Sequence, residues 1–167
     1  MKKRILLICS IFLFVYSAFA QDPVLGHWIS FDDKTGKATA GWYIEEINGE
    51  LFGTMTALAD HPQDQLATGG KGKSYSEFQN GKDIAEIQIV GTTWIYNLKK
   101  DDTGKWSKGY IIDPESGNRY KCKITFRKAD GKKYKTDTLE MRGELALGIG
   151  RSQFWTRASE EEAKNIR

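Results

Sequence analysis

The side chains that most often perform catalysis or bind metals are few and scattered in this chain. His27 and His61 are the only histidines and lie far apart in sequence, and His61 has two acidic neighbours, Asp60 and Asp64. Zinc sites need three or four close protein ligands, so we expect a surface histidine at position 61. No serine stands in a G-x-S-x-G turn, and no cysteine–histidine pair has a supporting spacing. The sequence therefore predicts no catalytic residues, no metal and no cofactor.

Aromatic side chains are the main binding resource of the sequence. Phe, Trp and Tyr make up 12% of the residues, which either fill the core of a small domain or line a ligand pocket. The candidate ligand-binding residues stand on predicted strands and are Trp42, Trp94, Tyr96 and Tyr110. Arg142 is a conditional anchor for an acidic head group. The alternation of Leu139 and Met141 with Glu140 and Arg142 directs this arginine outward, unless a bulge at Gly143 intervenes.

Residues 1–20 have the pattern of a cleaved signal peptide. Basic residues 2–4 precede an apolar run over 5–19, and an A-x-A site ends at Ala20. The apolar run is shorter than the ~20 residues that span a bilayer. Cys9 lacks both the small preceding residue and the late position of a lipoprotein cysteine. We therefore expect cleavage after Ala20 and export to the periplasm or out of the cell, without membrane insertion of the mature chain.

The predicted mature domain, residues 21–167, has a balanced charge. Three of the 25 basic residues fall in the signal peptide, which leaves 22 basic residues beside the 22 acidic ones. Such a surface gives no electrostatic argument for nucleic acid or an anionic membrane as a partner. Cys122 is the one cysteine that remains, so no intramolecular disulfide is expected. Its position in an alternating run predicts a buried, inert thiol.

Apolar residues alternate with a period of two through most of residues 24–158, which is typical of half-buried strands. The clearest run is 120–126, and similar runs are 41–47, 51–58, 84–90, 92–98, 108–112, 138–145 and 151–157. Asn48-Gly49 predicts a tight hairpin, and 113–118 predicts a rigid turn. Residues 59–82 are polar and glycine-rich and predict a long loop or mobile flap. Ser159 followed by three glutamates predicts a short C-terminal helix.

This pattern predicts an all-β fold, a single antiparallel barrel of about eight to ten strands, because closure protects the strand edges. A two-sheet sandwich is the main alternative. In an up-and-down barrel the first and last strands are neighbours, so the two ends of the domain would meet. The residues predicted to close the barrel there are Gly26, Trp28, Gly150, Arg151, Trp155 and Arg157. We expect an arginine to cover Trp28, and Arg151 is favoured over Arg157 because Gly150 allows a close backbone approach.

The segment 106–120 follows the pattern W-x-x-G-x-I-x-D-P-x-x-G-x-x-Y. Further pattern residues are Gly26, Trp28, Leu51, Gly53, Leu139, Arg142, Gly143, Gly150, Arg151, Gln153, Trp155 and Arg157. In these residues the chain resembles, over roughly 26–157, the exported bacterial family called domain of unknown function 2147. The resemblance implies a lipocalin-like barrel, whose floor is sealed by a tryptophan under an arginine.

Together these features predict an exported binding protein for a small apolar or amphipathic ligand. The ligand would enter at a mouth flanked by residues 59–82. The alternative is a barrel packed solid by its aromatic residues, which presents loops to a partner in the cell envelope. An enzyme is a third hypothesis, and it needs an inward-facing glutamate, such as Glu86 or Glu140, or an inward-facing arginine. The oligomeric state is not specified by the sequence.

Overall fold

The structure is a computed structural model that describes residues 21–145 and 148–166. The predicted signal peptide, residues 1–20, lies outside these ranges. Eight antiparallel strands follow one another around a closed barrel, and the last strand pairs with the first. The prediction of an all-β barrel of about eight to ten strands is therefore confirmed, and the sandwich is excluded.

The strands are β1 (Gly26–Phe31), β2 (Ala38–Ile47), β3 (Glu50–Leu58), β4 (Thr93–Asp102), β5 (Lys105–Ile112), β6 (Arg119–Arg127), β7 (Thr138–Glu144) and β8 (Gly150–Ala158), followed by the helix α1 (Glu160–Lys164). Among the described residues, no helix is long and apolar enough to cross a membrane.

The predicted turns form as their residue types require. Asn48 and Gly49 join β2 to β3 with φ of 54° and 81°, the left-handed conformations of a tight hairpin turn. Between β5 and β6, the Asp113 carboxylate accepts hydrogen bonds from the Glu115 amide at 2.9 Å and the Ser116 hydroxyl at 2.6 Å. The turn at 113–118 is thus a rigid connection, as the sequence predicts.

Helix α1 is short and packs on the outer face of β2 and β3. Ser159 and Glu162 form a reciprocal capping box at its N-terminus, which satisfies amide groups that the helix leaves unpaired. The Thr56 hydroxyl donates to the Ala163 carbonyl at 3.2 Å. A Cβ atom added to Gly41 would lie 1.7 Å from the same carbonyl oxygen. Glycine at position 41 is therefore what allows the helix to approach the sheet.

The segment between β3 and β4, residues 59–92, departs from the sequence prediction. Residues 84–86 form a 3-10 turn and not the start of a strand, and positions 66 and 88 form an isolated bridge. Residues 59–82 form a long connection without a strand or an α-helix, as the sequence predicts, and the mobility of that connection stays a prediction. Six apolar residues of 59–92 are buried: Ala59, Ala67 and Phe78 within the predicted loop, and Ile84, Ile87 and Ile89 beyond it. Across the whole segment these residues are irregularly spaced, and the short alternating run at 84–90 predicts a strand that does not form.

Backbone hydrogen bonds fold residues 59–92 onto themselves. The amide of Ala67 donates to the carbonyl of Ile87 at 2.9 Å, and the amide of Ile84 donates to the carbonyl of Lys73 at 2.8 Å. The Tyr75 hydroxyl donates to the carbonyl of Gly117 at 2.9 Å and so ties the segment to the β5–β6 turn. Residues 59–92 therefore form an ordered layer against one side of the barrel.

Candidate functional site

The barrel has two different ends, and successive connections along the chain lie alternately at one end and at the other. One end carries residues 22–25 and the turns at 48–49, 103–104 and 128–137, and we call it the closed end. The other end carries the connections at 32–37, 59–92, 113–118 and 145–149, and we call it the open end.

Trp28 forms the floor of the closed end. Its ring is fully buried, and its indole nitrogen donates to the Val24 carbonyl at 2.8 Å. The guanidinium carbon of Arg157 lies 4.2 Å from the ring centroid. Arg157 also donates to the carbonyls of Leu25, at 3.1 Å, and of Pro23. The predicted floor of a tryptophan under an arginine is therefore present, and Arg157 supplies the arginine.

The preference for Arg151 as this cover is wrong. Strand β8 runs from Gly150 to Ala158 and so extends for ~30 Å at about 3.3 Å per residue. Arg151 therefore lies at the open end, where it pairs with Asp33. Gly150 is also remote from the floor, and it allows close approach of β7, because an added Cβ would lie 2.4 Å from the Gly143 carbonyl oxygen.

A buried carboxylate completes the closed end. Asp22 accepts hydrogen bonds from the amides of Val24 and Gly104, each at 3.2 Å, and lies 3.0 Å from the ammonium of Lys100. Burial alone raises the pKa of Asp22, but Lys100 and the two amides outweigh it and hold that pKa below its ordinary value. Lys100 also lies 5.3 Å from the ring centroid of Trp106. Polar contacts and apolar packing thus seal the same floor.

The inward-facing side chains become more accessible toward the open end. At the closed end and in the middle of the barrel, large residues have no more than 1% of their surface exposed: Trp28, Leu51, Leu98, Trp106, Ile124, Leu139 and Trp155. Toward the open end, the exposed fraction is 4% for Met55, 5% for Trp42, 7% for Met141 and 9% for Ile111. Tyr120, Gly143 and Gln153 on the same inner face are half-buried. Inner-face residues toward the open end therefore keep small exposed fractions, although Ile95, in register with Ile111, has none.

Two stacked tryptophans form a wall of this upper interior. The rings of Trp42 and Trp155 have centroids 4.8 Å apart and an interplanar angle of 19°. The Trp42 indole donates to the Ser30 hydroxyl at 3.2 Å, and the Trp155 indole donates to the Gln153 side-chain oxygen at 3.2 Å. These bonds satisfy both indole donors and fix the rings. Of the predicted binding residues, Trp42 is the one that the structure places here.

The sequence interpretation missed several residues of this interior. The sequence pattern predicts a closing role for Trp155 and no wall role for Met55, Met141 or Gln153. Gln153 and Trp155 lie two residues apart on the same face of β8, and Met141 on β7 lies directly opposite Gln153. The period-two pattern of the last two strands was the signal that could have identified them.

Tyr96 and Tyr110 do not face the interior, which corrects the prediction for both. They are register partners, and Tyr110 also pairs with Lys121, which is exposed on the outer face. Their ring centroids are 5.8 Å apart, and the Arg119 guanidinium lies 4.6 Å from the Tyr110 ring. Burial against residues 59–92 raises the pKa of the Tyr96 phenol well above its usual range.

Trp94 contacts the same segment. Its indole donates to the Ile89 carbonyl at 2.8 Å, and its ring centroid lies 5.4 Å from that of Phe78, which also packs against Tyr96 at 5.3 Å. Register shifts interrupt the alternation on this side of the barrel, and Asn97 and Lys108 have φ of 59° and 64°. Bulges of this kind change which face a side chain occupies, and an uninterrupted period of two does not predict them.

The charged candidates lie on the outer face. Arg142 pairs with Glu144 at 2.8 Å, and its outward direction confirms the alternation. Glu140 accepts from Arg127 at 2.7 Å and from Ser152 at 2.9 Å. Burial raises the pKa of Glu140, but these two donors lower it below its usual value overall. Neither Arg142 nor Glu140 is therefore available to a ligand inside the barrel.

Two concavities open on the outer surface of the described residues. One, of about 520 Å³, lies over β5 and β6 and is lined in part by Lys108, Tyr110 and Lys121, and the other lies beside Pro62. Cys122 lines the first from below, but its residue is fully buried and burial raises the pKa of its thiol. The prediction of a buried, inert thiol is thus confirmed.

Comparisons with known proteins bear on the fold and the family. A family model described as uncharacterized protein conserved in bacteria (DUF2147) matches residues 26–157. The search of curated proteins gives no match. Among solved structures, protein HP1028 from the human pathogen Helicobacter pylori, described as belonging to the lipocalin family, is similar with a TM-score of 0.60. The two chains are 17% identical, and the similarity covers 86% of this chain and 88% of the other. The comparison establishes a lipocalin-like fold.

Proposed function

Because the chain belongs to the DUF2147 family of uncharacterized bacterial proteins and folds as a lipocalin-like barrel, we propose that it binds a small apolar or amphipathic ligand. The ligand enters the barrel at the open end. The observation that supports this proposal most directly is the gradient of exposure along the barrel interior. The floor is fully covered, whereas Trp42, Met55 and Met141 keep accessible surface.

The upper interior has the chemistry of a ligand site. Its accessible residues are apolar and aromatic, and Gln153 and Tyr120 add a small number of polar groups. Pockets for small molecules combine apolar walls with a few placed polar groups in this way. The Trp42 and Trp155 rings are held by their own hydrogen bonds, so a ligand does not have to order them, and preorganisation of this kind favours binding.

A binding assay with an uncharged fluorescent probe tests this function. We expect phenylnaphthylamine to bind saturably with one site per chain and to gain fluorescence. Gly143→Leu should abolish binding, because the new Cβ makes only ordinary contacts, 3.5 Å from Tyr120 and 3.9 Å from Ile111, while the longer side chain fills the upper interior.

A matched pair of tryptophan variants locates the site. Trp42→Phe should weaken probe binding because it removes part of the interior wall. Trp94→Phe changes a fully buried tryptophan that packs against residues 59–92, so probe binding should be unchanged. Absence of saturable binding, or equal loss in the two variants, would overturn the proposed site.

We propose the packed barrel with an envelope partner as the second candidate. The observation in its favour is that several large inward-facing side chains, among them Ile44, Ile95 and Trp155, have no exposed surface. Native mass spectrometry of protein purified from its own host separates the two functions. A retained small molecule supports the binding protein, and a bare chain that also fails to bind the probe supports the packed barrel.

We propose further that binding involves no chemical step, since Glu140 is engaged with Arg127 and Ser152 on the outer face and Glu86 is exposed. A ligand recovered from the protein after prolonged incubation should have an unchanged mass. A product of altered mass would contradict a purely binding role.

Export is also part of the proposal, and it is supported by the basic residues, apolar run and A-x-A site of residues 1–20. Intact-mass measurement of the protein from the periplasmic or culture fraction should give a chain that begins at Gln21. A chain that retains Met1, or an acylated Cys9, would contradict cleavage after Ala20.

A further inference from the structure

We infer that the ligand is an anionic amphiphile whose head group binds Arg151 at the rim of the open end. This inference rests on the proposed function, since it specifies the ligand class of the same interior. It replaces Arg142, the anchor considered from the sequence, with an arginine on the inner face of the barrel.

The register of β7 and β8 places Arg151 on the inner face. Arg151 pairs with Gly143, and Gln153 pairs with the buried Met141. A Cβ atom at Gly143 would point toward Tyr120 and Ile111, so this face of the strand pair is directed into the barrel. Gly143 has no side chain, and the space opposite Arg151 is therefore free of protein atoms from that position.

Polarity decreases along β8 from the rim to the interior. Arg151 stands at the rim, Gln153 follows two residues later, and Trp155 stacks on Trp42 below them. The Gln153 side-chain oxygen is taken by the Trp155 indole, which leaves its amide N–H groups as donors to a ligand. A ligand that matches this order has a hydrogen-bond-accepting, negatively charged head and an apolar chain.

A ligand head group can displace Asp33, the present partner of Arg151, or can share the guanidinium with it. Its Nε donates to one carboxylate oxygen of Asp33 at 2.7 Å, and its Nη2 lies 2.6 Å from the same oxygen. These contacts use one edge of the guanidinium and leave the second edge for another carboxylate. Both side chains are more than one-third exposed, and exposed ion pairs contribute little to stability.

Neighbouring charges do not compete for the same ligand. Arg142 is directed to the outer face and pairs with Glu144. The Asp32 carboxylate accepts hydrogen bonds from Lys34, and from the amide and hydroxyl of Thr35, within its own loop. Asp33 is thus the anion that a ligand head group must displace or join.

Two ligands with the same chain and different heads test the inference. Dodecanoate and dodecanol are titrated against bound phenylnaphthylamine, above the pKa of the carboxylic acid and below the concentrations at which they aggregate. We expect dodecanoate to bind the unmodified protein roughly fivefold more tightly, as a charge-assisted hydrogen bond at an exposed site allows. In Arg151→Gln the preference should disappear, while dodecanol binds as before.

Matched variants separate this contact from general electrostatics. Arg142→Gln removes the same charge from the outer face of the adjacent strand and should keep the preference for dodecanoate. Asp33→Asn removes the competing carboxylate and should increase it. Equal affinity for the two ligands in the unmodified protein, or an equal loss of preference in Arg142→Gln and Arg151→Gln, would overturn the inference and leave the proposed binding function intact. Failure of the probe to bind at all would instead overturn both.

Discussion

The two ends of the barrel use similar aromatic side chains and differ in what covers them. At the closed end, Trp28 lies beneath Arg157 and donates to the chain that precedes β1, and Asp22 adds a buried ion pair with Lys100. Above this floor, Trp42 and Trp155 stack on each other, and inner-face residues toward the open end keep small exposed fractions. Tryptophan therefore covers the closed end of the barrel and also lines the interior above it.

The two ends differ in coverage because the long connection, residues 59–92, packs on the side of the barrel. Residues 59–92 emerge at the open end but bury their apolar side chains against the side of the barrel, with Phe78 on Trp94 and Tyr96. Residues 22–24, by contrast, lie across the floor. The long connection thus leaves the open end uncovered, whereas the residues that precede β1 cover the closed end.

The largest expected effect is at the floor. Trp28→Ala should lower the free energy of unfolding by about 3–5 kcal/mol, the range for truncating a buried large aromatic side chain. Its ring has no exposed surface and its indole is hydrogen-bonded. Urea unfolding followed by circular dichroism measures the loss. An unchanged midpoint would contradict a sealed floor at this position.

Two alanine substitutions on one strand compare the ends directly. Leu139 has no exposed surface, whereas Met141, two residues nearer the open end, keeps 7%. Leu139→Ala should cost about 3–4 kcal/mol and Met141→Ala about 2 kcal/mol, because water can fill the space left at the accessible site. Urea denaturation of both variants checks the order. A larger loss for Met141→Ala would indicate that the upper interior is as tightly packed as the floor.

The ion pair at the floor predicts a dependence on pH. Asp22→Asn should cost about 1–3 kcal/mol at neutral pH, since it removes a charged acceptor from buried donors. Folding lowers the pKa of Asp22 below its ordinary 3.8. Its stabilisation is therefore present above about pH 4 and is lost as the pH falls through the lowered pKa.

In denaturant titrations, the difference in free energy of unfolding between Asp22→Asn and the unmodified protein should accordingly become smaller below pH 4. Asp33→Asn is the control at the open end, where the carboxylate is exposed and the loss should stay within about 1 kcal/mol. An effect of Asp22→Asn that does not vary with pH would argue against a lowered pKa in the folded protein.

The smallest expected difference in stability is between variants of the two arginines of β8. Arg157→Gln should cost about 1 kcal/mol, because it removes a cation over an aromatic ring and the hydrogen bonds to Leu25 and Pro23. Arg151→Gln should change stability by less than about 0.5 kcal/mol. Thermal midpoints of the two variants measure the difference. A greater loss for Arg151→Gln would reverse the assignment of the covering arginine.

Local patterns in the sequence predict much of this barrel. Alternation identifies β2, β3, β6, β7 and β8, because one face of each strand is buried and the other is wet. Asn48-Gly49 and the capping box at Ser159 follow from the conformations that these residues favour. The pairing of β1 with β8 follows from barrel closure, which joins the first strand to the last.

The residues of the candidate site are harder to predict from the sequence than the strands and turns, for two physical reasons. A single bulge reverses the face of every residue beyond it, so Tyr96 and Tyr110 were placed inside although they pack outside. The apolar residues of 59–92 are separated by polar and glycine residues, so their burial depends on a surface formed by distant strands. Trp155 and Gln153 had the correct alternation, but their partners across the barrel could not be identified from spacing alone.

The sequence by itself determined the strand pattern, the turn types and the presence of a tryptophan and an arginine to seal one end, because these depend on local conformational preference and on the period of apolar residues. Only the tertiary structure decided that Arg157 and not Arg151 covers Trp28, that residues 59–92 pack on the side of the barrel, and that Trp42 meets Trp155. Each of these depends on the length of a strand or the register between strands. Register is set jointly by bulges, turns and packing across the whole barrel, and no local segment contains it.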